Sequence, residues 1–224
     1  MRRRFVFAAI SVLALSAALV IKAEARGTVL FDQSTNLTEF GTVSQEFPDF
    51  PDFTTAEFDD FTVPSPGWFI SRITIYGVEQ GNSNLTTNLR LIITRAPGLN
   101  QTRVVDITTA GTGHGPNLVF NLNNIQLNPG TYWIAAWVVR QFGNGGGQWF
   151  WLRRNPPVNG SEHYFHNPGG GFGFGSDPIP GTQVFGSPAD LGFKIEGKVV
   201  PEPASMIALS AGIVGLLGLR RRKK

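Results

Sequence analysis

Residues 128–139 read NPGTYWIAAWVV, and this stretch does most to predict the fold of the chain. Its first three residues form a turn signal, because proline suits the second position of a turn and glycine accepts the positive φ of the third. In the strand that follows, alternate side chains point to opposite faces, and both sets are apolar. They are Trp133, Ala135 and Trp137 on one face and Tyr132, Ile134, Ala136 and Val138 on the other. We therefore expect a central strand that is covered on both sides.

Further runs of β-branched and aromatic residues recur through residues 26–199, separated by Gly, Pro and Asn clusters. The predicted strands are residues 28–32, 56–63, 68–76, 89–95, 103–109, 117–122, 131–141, 148–154, 182–185 and 191–199. In residues 68–76 the set Phe69, Ser71, Ile73 and Ile75 is expected to face the core. No segment between the chain ends has sustained helical periodicity. The pattern predicts an all-β domain, an antiparallel β-sandwich or a jelly-roll-like fold.

Two tryptophans of the strand 148–154 are candidate ligand-binding residues. Trp149 and Trp151 share one face, and exposed aromatic rings can stack on sugars, so they could form a glycan-stacking platform. The alternative is that both rings fill the core, where such side chains bury a large area. The loop-rich segment 155–188 follows and carries further aromatic residues. A loop of that length in a domain is usually functional or disordered.

Acidic residues are concentrated between residues 46 and 60, where oxygen ligands on loops could hold Ca²⁺. They are Glu46, Asp49, Asp52, Glu57, Asp59 and Asp60. The stretch lacks the D-x-D-x-D-G pattern of a calcium loop, so we interpret it as a solvated acidic face. Adjacent Asp59 and Asp60 should point to opposite faces of their strand.

No pattern in the sequence predicts catalysis. His163 and His166 have the spacing of two metal ligands, but no third ligand is evident. The chain has no nucleophile elbow, no phosphate-binding loop and no cysteine. We expect neither an enzyme nor a bound metal or cofactor.

The N-terminus has the three parts of a secretory signal peptide. Three arginines at positions 2–4 precede an apolar run over residues 5–21, and Ala23-Glu24-Ala25 completes a small-x-small cleavage site. We predict that residues 1–25 form a signal helix that is cleaved after Ala25, leaving residues 26–199 as the β-sandwich domain.

The C-terminus, residues 200–224, combines three features in order. Val200-Pro201-Glu202-Pro203 is followed by an uncharged apolar run, residues 204–219, and by Arg220, Arg221, Arg222, Lys223 and Lys224. Sixteen helical residues span roughly 24 Å, slightly less than a bilayer core of about 30 Å, and snorkelling basic side chains can make up the difference. The basic cluster holds the end in the cytoplasm. We predict one transmembrane helix, with the body outside.

The basic pI of about 9.5 comes from these two ends. Residues 26–199 carry ten basic and fourteen acidic side chains. Because the body has no polybasic patch to follow a phosphate backbone, we expect no nucleic-acid partner.

The C-terminal features resemble the PEP-CTERM sorting signal of Gram-negative bacteria. The resemblance implies export by the Sec machinery, transient anchoring in the inner membrane and processing near Pro201–Pro203 by exosortase, a membrane-embedded cysteine protease. It implies a secreted or cell-surface location. An ordinary tail anchor is the alternative. Residues 58–64, 67–70 and 127–134 also resemble parts of β-sandwich domains that are common in such proteins.

These features predict an extracellular structural or adhesive protein of the polysaccharide matrix. A lectin-like carbohydrate-binding module is the alternative, followed by a glycan-active enzyme.

Overall fold

The computed structural model describes residues 27–158 and 160–202, and in these ranges the backbone is mostly strand. The strands are β1 Thr28–Asp32, β2 Leu37–Val43, β3 Gln45–Glu46, β4 Ala56–Val63, β5 Trp68–Ile75, β6 Gly77–Gln80, β7 Asn88–Thr94, β8 Arg103–Ala110, β9 Leu118–Leu127, β10 Gly130–Val139, β11 Gln148–Arg154, β12 Tyr164–His166, β13 Ile179–Pro180, β14 Asp190–Leu191 and β15 Phe193–Val199. A short helix, α1, spans Gly181–Phe185, and 3-10 turns lie at Pro51–Phe53 and Ser83–Leu85. The prediction of an all-β sandwich is confirmed.

Three sheets form the layers of the sandwich. The largest has the order β13-β12-β4-β10-β7-β8, with β3 beside β10. A second has the order β1-β15-β5-β9, and the third has the order β14-β11-β2 with β6 also on β11. The strand pairs are antiparallel except for β3 with β10. Apolar side chains from all three sheets form one main core, and a smaller cluster lies on the other face of the largest sheet.

Strand β10 is central, as its sequence predicts. It pairs with β4 on one side and β7 on the other. Its residues Tyr132, Ile134, Ala136 and Val138 lie in the main core, while Trp133, Ala135 and Trp137 lie in the smaller cluster. Two apolar faces thus correspond to two separate cores on either side of one strand.

Strand β5 departs from the predicted alternation because its pairing is irregular. Ile73 and Ile75 are buried as expected, but Phe69 and Ser71 are partly exposed and Ile70 is buried. The register with β15 and with β9 shifts around Ser71. An extra residue in one strand reverses the side-chain alternation beyond it, so a single alternating pattern could not hold along β5.

The predicted strand at residues 182–185 is wrong, because this stretch lies in α1. Pro180 precedes the helix, and Gly186 ends it with φ 75°, a left-handed conformation that glycine adopts at low cost. Strands β2, β3, β6 and β12 were not predicted, because none of them contains a long apolar run.

The predicted signal helix, with Ala23 and Ala25, and the predicted transmembrane helix at residues 204–219 lie outside the described residues. Within residues 27–158 and 160–202, no helix has the length and apolar character needed to cross a bilayer.

Candidate functional site

The two tryptophans proposed as a sugar platform lie in the core. Trp149 and Trp151 are fully buried. Their indole N–H groups donate to backbone carbonyls, that of Trp149 to Pro116 at 2.7 Å and that of Trp151 to Gly192 at 2.9 Å. A sugar has no access to either ring face, so the prediction of glycan stacking at these residues is wrong and the core alternative holds.

The packing of Trp149 shows why this face of β11 points inward. Its ring lies against Gly77 of the neighbouring strand β6, where an added Cβ would come within 2.3 Å of the ring. Glycine at this position leaves room for the indole. The opposite side chains of β11, Phe150 and Leu152, are also apolar but only partly buried. Because both faces of β11 are apolar, the sequence alone does not show which of them is buried.

Three acidic side chains of β4 also lie inside the domain. Glu57, Asp59 and Asp60 are buried, whereas Asp49 and Asp52 are exposed. The prediction of a solvated acidic face is wrong for the three β4 residues. Strand β4 pairs with β10 along residues 58–63 and with β12 along residues 56–58.

Asp59 is the centre of a buried hydrogen-bond network. Its Oδ2 accepts from the side-chain amide of Gln33 and from the backbone N–H of Leu191, both at 2.6 Å. Its Oδ1 accepts from the backbone N–H of Asp60 at 3.0 Å. Burial, together with the nearby carboxylate of Asp190, raises the pKa of Asp59 well above its usual range. The network links β4 to the segment before β15.

Asp60 points to the other face of β4, as the adjacency of the two aspartates predicts. Its Oδ1 accepts from the backbone N–H of Ser161 at 2.8 Å. Burial also raises the pKa of Asp60. The two carboxyl groups bond to different segments, although both lie near the carboxylate of Asp190.

Glu57 and His163 form a buried polar contact. Glu57 accepts from the hydroxyl of Thr42 at 2.6 Å, and its other oxygen lies 3.8 Å from Nε2 of His163. Nδ1 of His163 donates to the carbonyl of Ala189 at 2.7 Å. Burial raises the pKa of Glu57 well above its usual range and lowers the pKa of His163 to about 4. At neutral pH the 3.8 Å contact is therefore polar but is not an ion pair.

The histidines do not form the metal pair suggested by their spacing. Nδ1 of His166 accepts from the backbone N–H of Leu99 at 3.0 Å, and its Nε2 donates to the carbonyl of Ser176 at 3.1 Å. Both nitrogens thus serve the packing of loops. Among the residues that the structure describes, no group of three or more His, Cys, Asp or Glu side chains is placed to hold a metal ion.

An open pocket of about 270 Å³ lies beyond the far end of β10, and we call it the phenylalanine pocket. It is lined by Phe47, Phe50, Phe53, Phe142, Gln148 and Phe172. The ring of Phe142 makes edge-to-face contacts with the rings of Phe47 and Phe50, each at a centroid distance of 6.3 Å. Only Gln148 contributes a polar side chain. The pocket is suited to an apolar group.

Hydrogen bonds fix the walls of the phenylalanine pocket. The carboxylate of Asp49 accepts from the backbone N–H groups of Phe142 and Gly143, at 3.0 and 2.9 Å. Desolvation raises the pKa of Asp49, but these hydrogen bonds stabilise the carboxylate more strongly, and the net effect is a lowered pKa. The side chain of Asn167 donates to the carbonyls of Asp52 and Thr54, at 2.7 and 2.9 Å. Three separate loops are therefore held together around the pocket before any ligand arrives.

Sequence reasoning missed this pocket, although a signal was present. Residues 47–53 read FPDFPDF, a repeated Phe-Pro-Asp triplet. Prolines interrupt strand pairing and aspartates favour solvent, so the intervening rings are expected in an exposed loop.

The predicted sorting motif continues directly from the last strand. Strand β15 ends at Val199, and the backbone N–H of Val200 donates to the carbonyl of Gly67 at 2.9 Å. Pro201 and Glu202 follow and are exposed. Pro203 and the basic residues Arg220, Arg221, Arg222, Lys223 and Lys224 lie outside the described residues.

The motif and the phenylalanine pocket lie at opposite ends of the domain. Gly67, which holds Val200, is next to Trp68, and Trp68 pairs with the end of β9 that leads into Gly130. The pocket lies beyond Val139, at the other end of β10. Ten strand residues span about 30 Å. A tail held at a membrane would therefore leave the pocket at the far end of the domain.

Residues 199–223 match the family model of the PEP-CTERM protein-sorting motif. No curated protein and no solved structure matches the chain. The motif match agrees with the resemblance seen in the sequence and implies an exported protein, secreted or at the cell surface, with exosortase as its processing partner.

Proposed function

We propose that this chain, with its PEP-CTERM sorting motif, is a structural or adhesive component of the extracellular polysaccharide matrix of a Gram-negative bacterium. The signal peptide would direct it into the Sec machinery, and residues 200–224 would hold it in the inner membrane until exosortase acts. The matched motif at residues 199–223 supports the sorting step. The structural or adhesive role is our own extension.

The observation that carries the proposal is the direct junction of β15 and the motif. Within residues 27–158 and 160–202, the last backbone N–H that donates a hydrogen bond is that of Val200, one residue before Pro201. Cleavage near Pro201–Pro203 would release every strand of the sandwich intact. The protein would then leave the membrane as a complete folded domain with a minimal C-terminal extension.

A structural or adhesive role is supported by what the domain presents at its far end. The phenylalanine pocket is preformed, is lined by apolar rings and lies away from the tail. Exposed apolar surface of this kind commonly marks an interaction site. Such a site would face outwards from the cell while the chain is still anchored.

Trp149 and Trp151 cannot serve the carbohydrate-binding alternative as a stacking platform, because both are buried. A pull-down on insoluble polysaccharides tests what is left of it. Retention that survives Trp149→Phe but is lost in Phe50→Ser would favour a lectin using the phenylalanine rings. Absence of retention would remove the alternative.

The sorting step is tested by substituting Pro201, Glu202 and Pro203 together with alanine. In a host with exosortase, the wild-type chain should appear in the medium or on the outer surface, and the variant should stay with the inner membrane. Lys198→Ala is the matched control, because this exposed residue lies on β15 just before the motif. Equal release of the variant and the wild type would overturn the proposal.

A further inference from the structure

One phenylalanine outside the pocket is more exposed than any other large apolar side chain in the described residues. Phe40, on β2, has 79% of its surface open to solvent, and the next value is 58% for Val158. A single exposed apolar side chain is ordinary, but exposure of nearly a whole phenyl ring leaves a large apolar area in water.

The backbone of β2 holds Phe40 outwards. Gly41 pairs with Leu152 of β11 and Leu37 pairs with Arg154, so three residues of β2 lie opposite one residue of β11. The hydroxyl of Thr38 lies 3.0 Å from the carbonyl oxygen of Arg153 and closer still to that of Phe40, and these contacts anchor the bulge. Bulges re-aim side chains, and here the result is a phenyl ring that projects from an outer strand.

The phenylalanine pocket has the size and lining that a phenyl ring requires. An apolar cavity of about 150 Å³ is enough to bind benzene, and the pocket measures about 270 Å³ with one open side. Its rings can make edge-to-face contacts with an incoming ring, as Phe142 already does with Phe47 and Phe50. Phe40 does not line the pocket of its own chain.

We propose that Phe40 of one copy enters the phenylalanine pocket of a second copy, so that the chain assembles head to tail. The projecting ring and the pocket are different surfaces of one molecule, and each copy therefore offers one of each. A contact between different surfaces does not close on itself unless the rotation between copies happens to form a ring, and it otherwise extends into a filament. This inference rests on the proposed structural role and names the partner as another copy.

The charges near the two surfaces set how the contact responds to salt. Glu39 lies beside Phe40, and Asp49 and Asp52 lie in the loop that forms the pocket. These carboxylates have the same sign and oppose association, and screening reduces that opposition. Association should strengthen between 0.05 and 0.5 M NaCl (concentrations chosen to span roughly the range over which exposed charges become screened). A contact held by ion pairs would respond in the opposite direction.

The test uses the full chain with its apolar C-terminal run held in a lipid nanodisc, one chain per disc, followed by sedimentation velocity. The wild type should associate further as its concentration rises. Phe40→Ser and Phe142→Ala should each weaken association at least about tenfold, since each removes one side of the contact. Val158→Ser, which changes an exposed apolar residue outside both surfaces, should behave like the wild type.

Mixing the two variants gives the sharpest result. The Phe40→Ser chain keeps an intact pocket, and the Phe142→Ala chain keeps the projecting ring. A mixture should therefore form pairs of discs and nothing longer, although neither variant associates alone. A symmetric contact of one surface with itself would not give this complementation.

Absence of association in the wild type would overturn the inference, as would association that persists in both variants. The second result would indicate contacts through the tail or the discs. These outcomes are independent of exosortase, so failure here is distinguishable from failure of the sorting step, which appears as equal release of the alanine-substituted motif.

Discussion

The buried part of strand β4 and the phenylalanine pocket differ in which side chains they hold. The strand holds the carboxyl groups of Glu57 and Asp59, and the pocket exposes the rings of Phe50, Phe53 and Phe142. Both arrangements run against the usual preference for buried apolar and exposed charged side chains. Their energetic bases differ, and so do the consequences of mutation.

The buried carboxyl groups are tolerated because backbone and side-chain donors surround them. Asp59 alone accepts three hydrogen bonds, from the side-chain amide of Gln33 and from the backbone N–H groups of Asp60 and Leu191. The exposed rings have no comparable stabilising role, since Phe142 keeps 49% of its surface in water. The comparison indicates that the carboxyl network maintains the fold, while the rings are available for binding.

Removing the Asp59 carboxyl group should have the largest effect on stability. Asp59→Ala removes the acceptor of the buried backbone N–H of Leu191, the acceptor used by the backbone N–H of Asp60 and one of the two acceptors of the Gln33 amide, and the expected loss is about 3–5 kcal/mol in the free energy of unfolding. Urea unfolding followed by tryptophan fluorescence measures it. Asp52→Ala, at an exposed carboxylate near the pocket, should cost no more than about 0.5 kcal/mol. Equal losses in the two variants would contradict the account of the network.

Acid should destabilise the domain through His163. The folded protein keeps this residue neutral down to a pKa of about 4, whereas the unfolded chain binds the proton near 6.5. Stability is fully present above about pH 6.5 and falls as the pH drops towards 4, by about 3 kcal/mol in total.

The control for this pH effect is His163→Gln, which can still donate to Ala189 but does not titrate. The unfolding free energy of this variant should not show the fall of about 3 kcal/mol between pH 6.5 and 4 that His163 causes. If the variant and the wild type fell in parallel between pH 6.5 and 4, His163 would not be the group responsible.

Glu57 should act with the opposite sign. Burial raises its pKa in the folded state, so its favourable contribution is present below the unfolded pKa of about 4.3 and is lost as the pH rises through the folded pKa. Glu57→Gln keeps an acceptor for Thr42 and removes the titration. The variant should lose less stability than the wild type between pH 5 and 8 in urea titrations. A steeper loss of stability in the variant between pH 5 and 8 would contradict the assignment of this pH dependence to Glu57.

Truncating an exposed ring should have the smallest effect on folding. We expect Phe142→Ala to lower the unfolding free energy by no more than about 1 kcal/mol. Phe61→Ala, at a fully buried ring of the main core, should cost about 3–5 kcal/mol. A loss at Phe142 as large as that at Phe61 would show that the pocket rings are part of the core.

The bounds of several strands could be predicted from the sequence, but the buried face of a strand with irregular pairing could not. Strands β1, β4 and β11 have the bounds that the pattern gives, and β10 is central as expected. The inner face of β5 was predicted only in part, because the shift near Ser71 depends on its partners β9 and β15. Local alternation carries no information about a bulge that arises in pairing.

The positions of the candidate site residues were harder to predict, because they also depend on contacts with segments that are distant in sequence. The acidic run is divided by the fold, since Asp49 and Asp52 stay in an exposed loop while Glu57 and Asp59 enter a strand that other segments cover. Donors from Gln33, Thr42 and Leu191 make that burial possible, and they are distant in sequence. Trp149 and Trp151 could not be assigned because both faces of β11 are apolar. The sorting motif was found from its sequence because its features are contiguous.

The most direct test of the central claim, that the C-terminal motif is a removable sorting signal, is the intact mass of the mature protein from a host with exosortase. The account predicts a chain that begins at Arg26 and ends between Pro201 and Pro203, with every strand from β1 to β15 retained. A mature chain that still ends at Lys224 would contradict it and favour a permanent tail anchor.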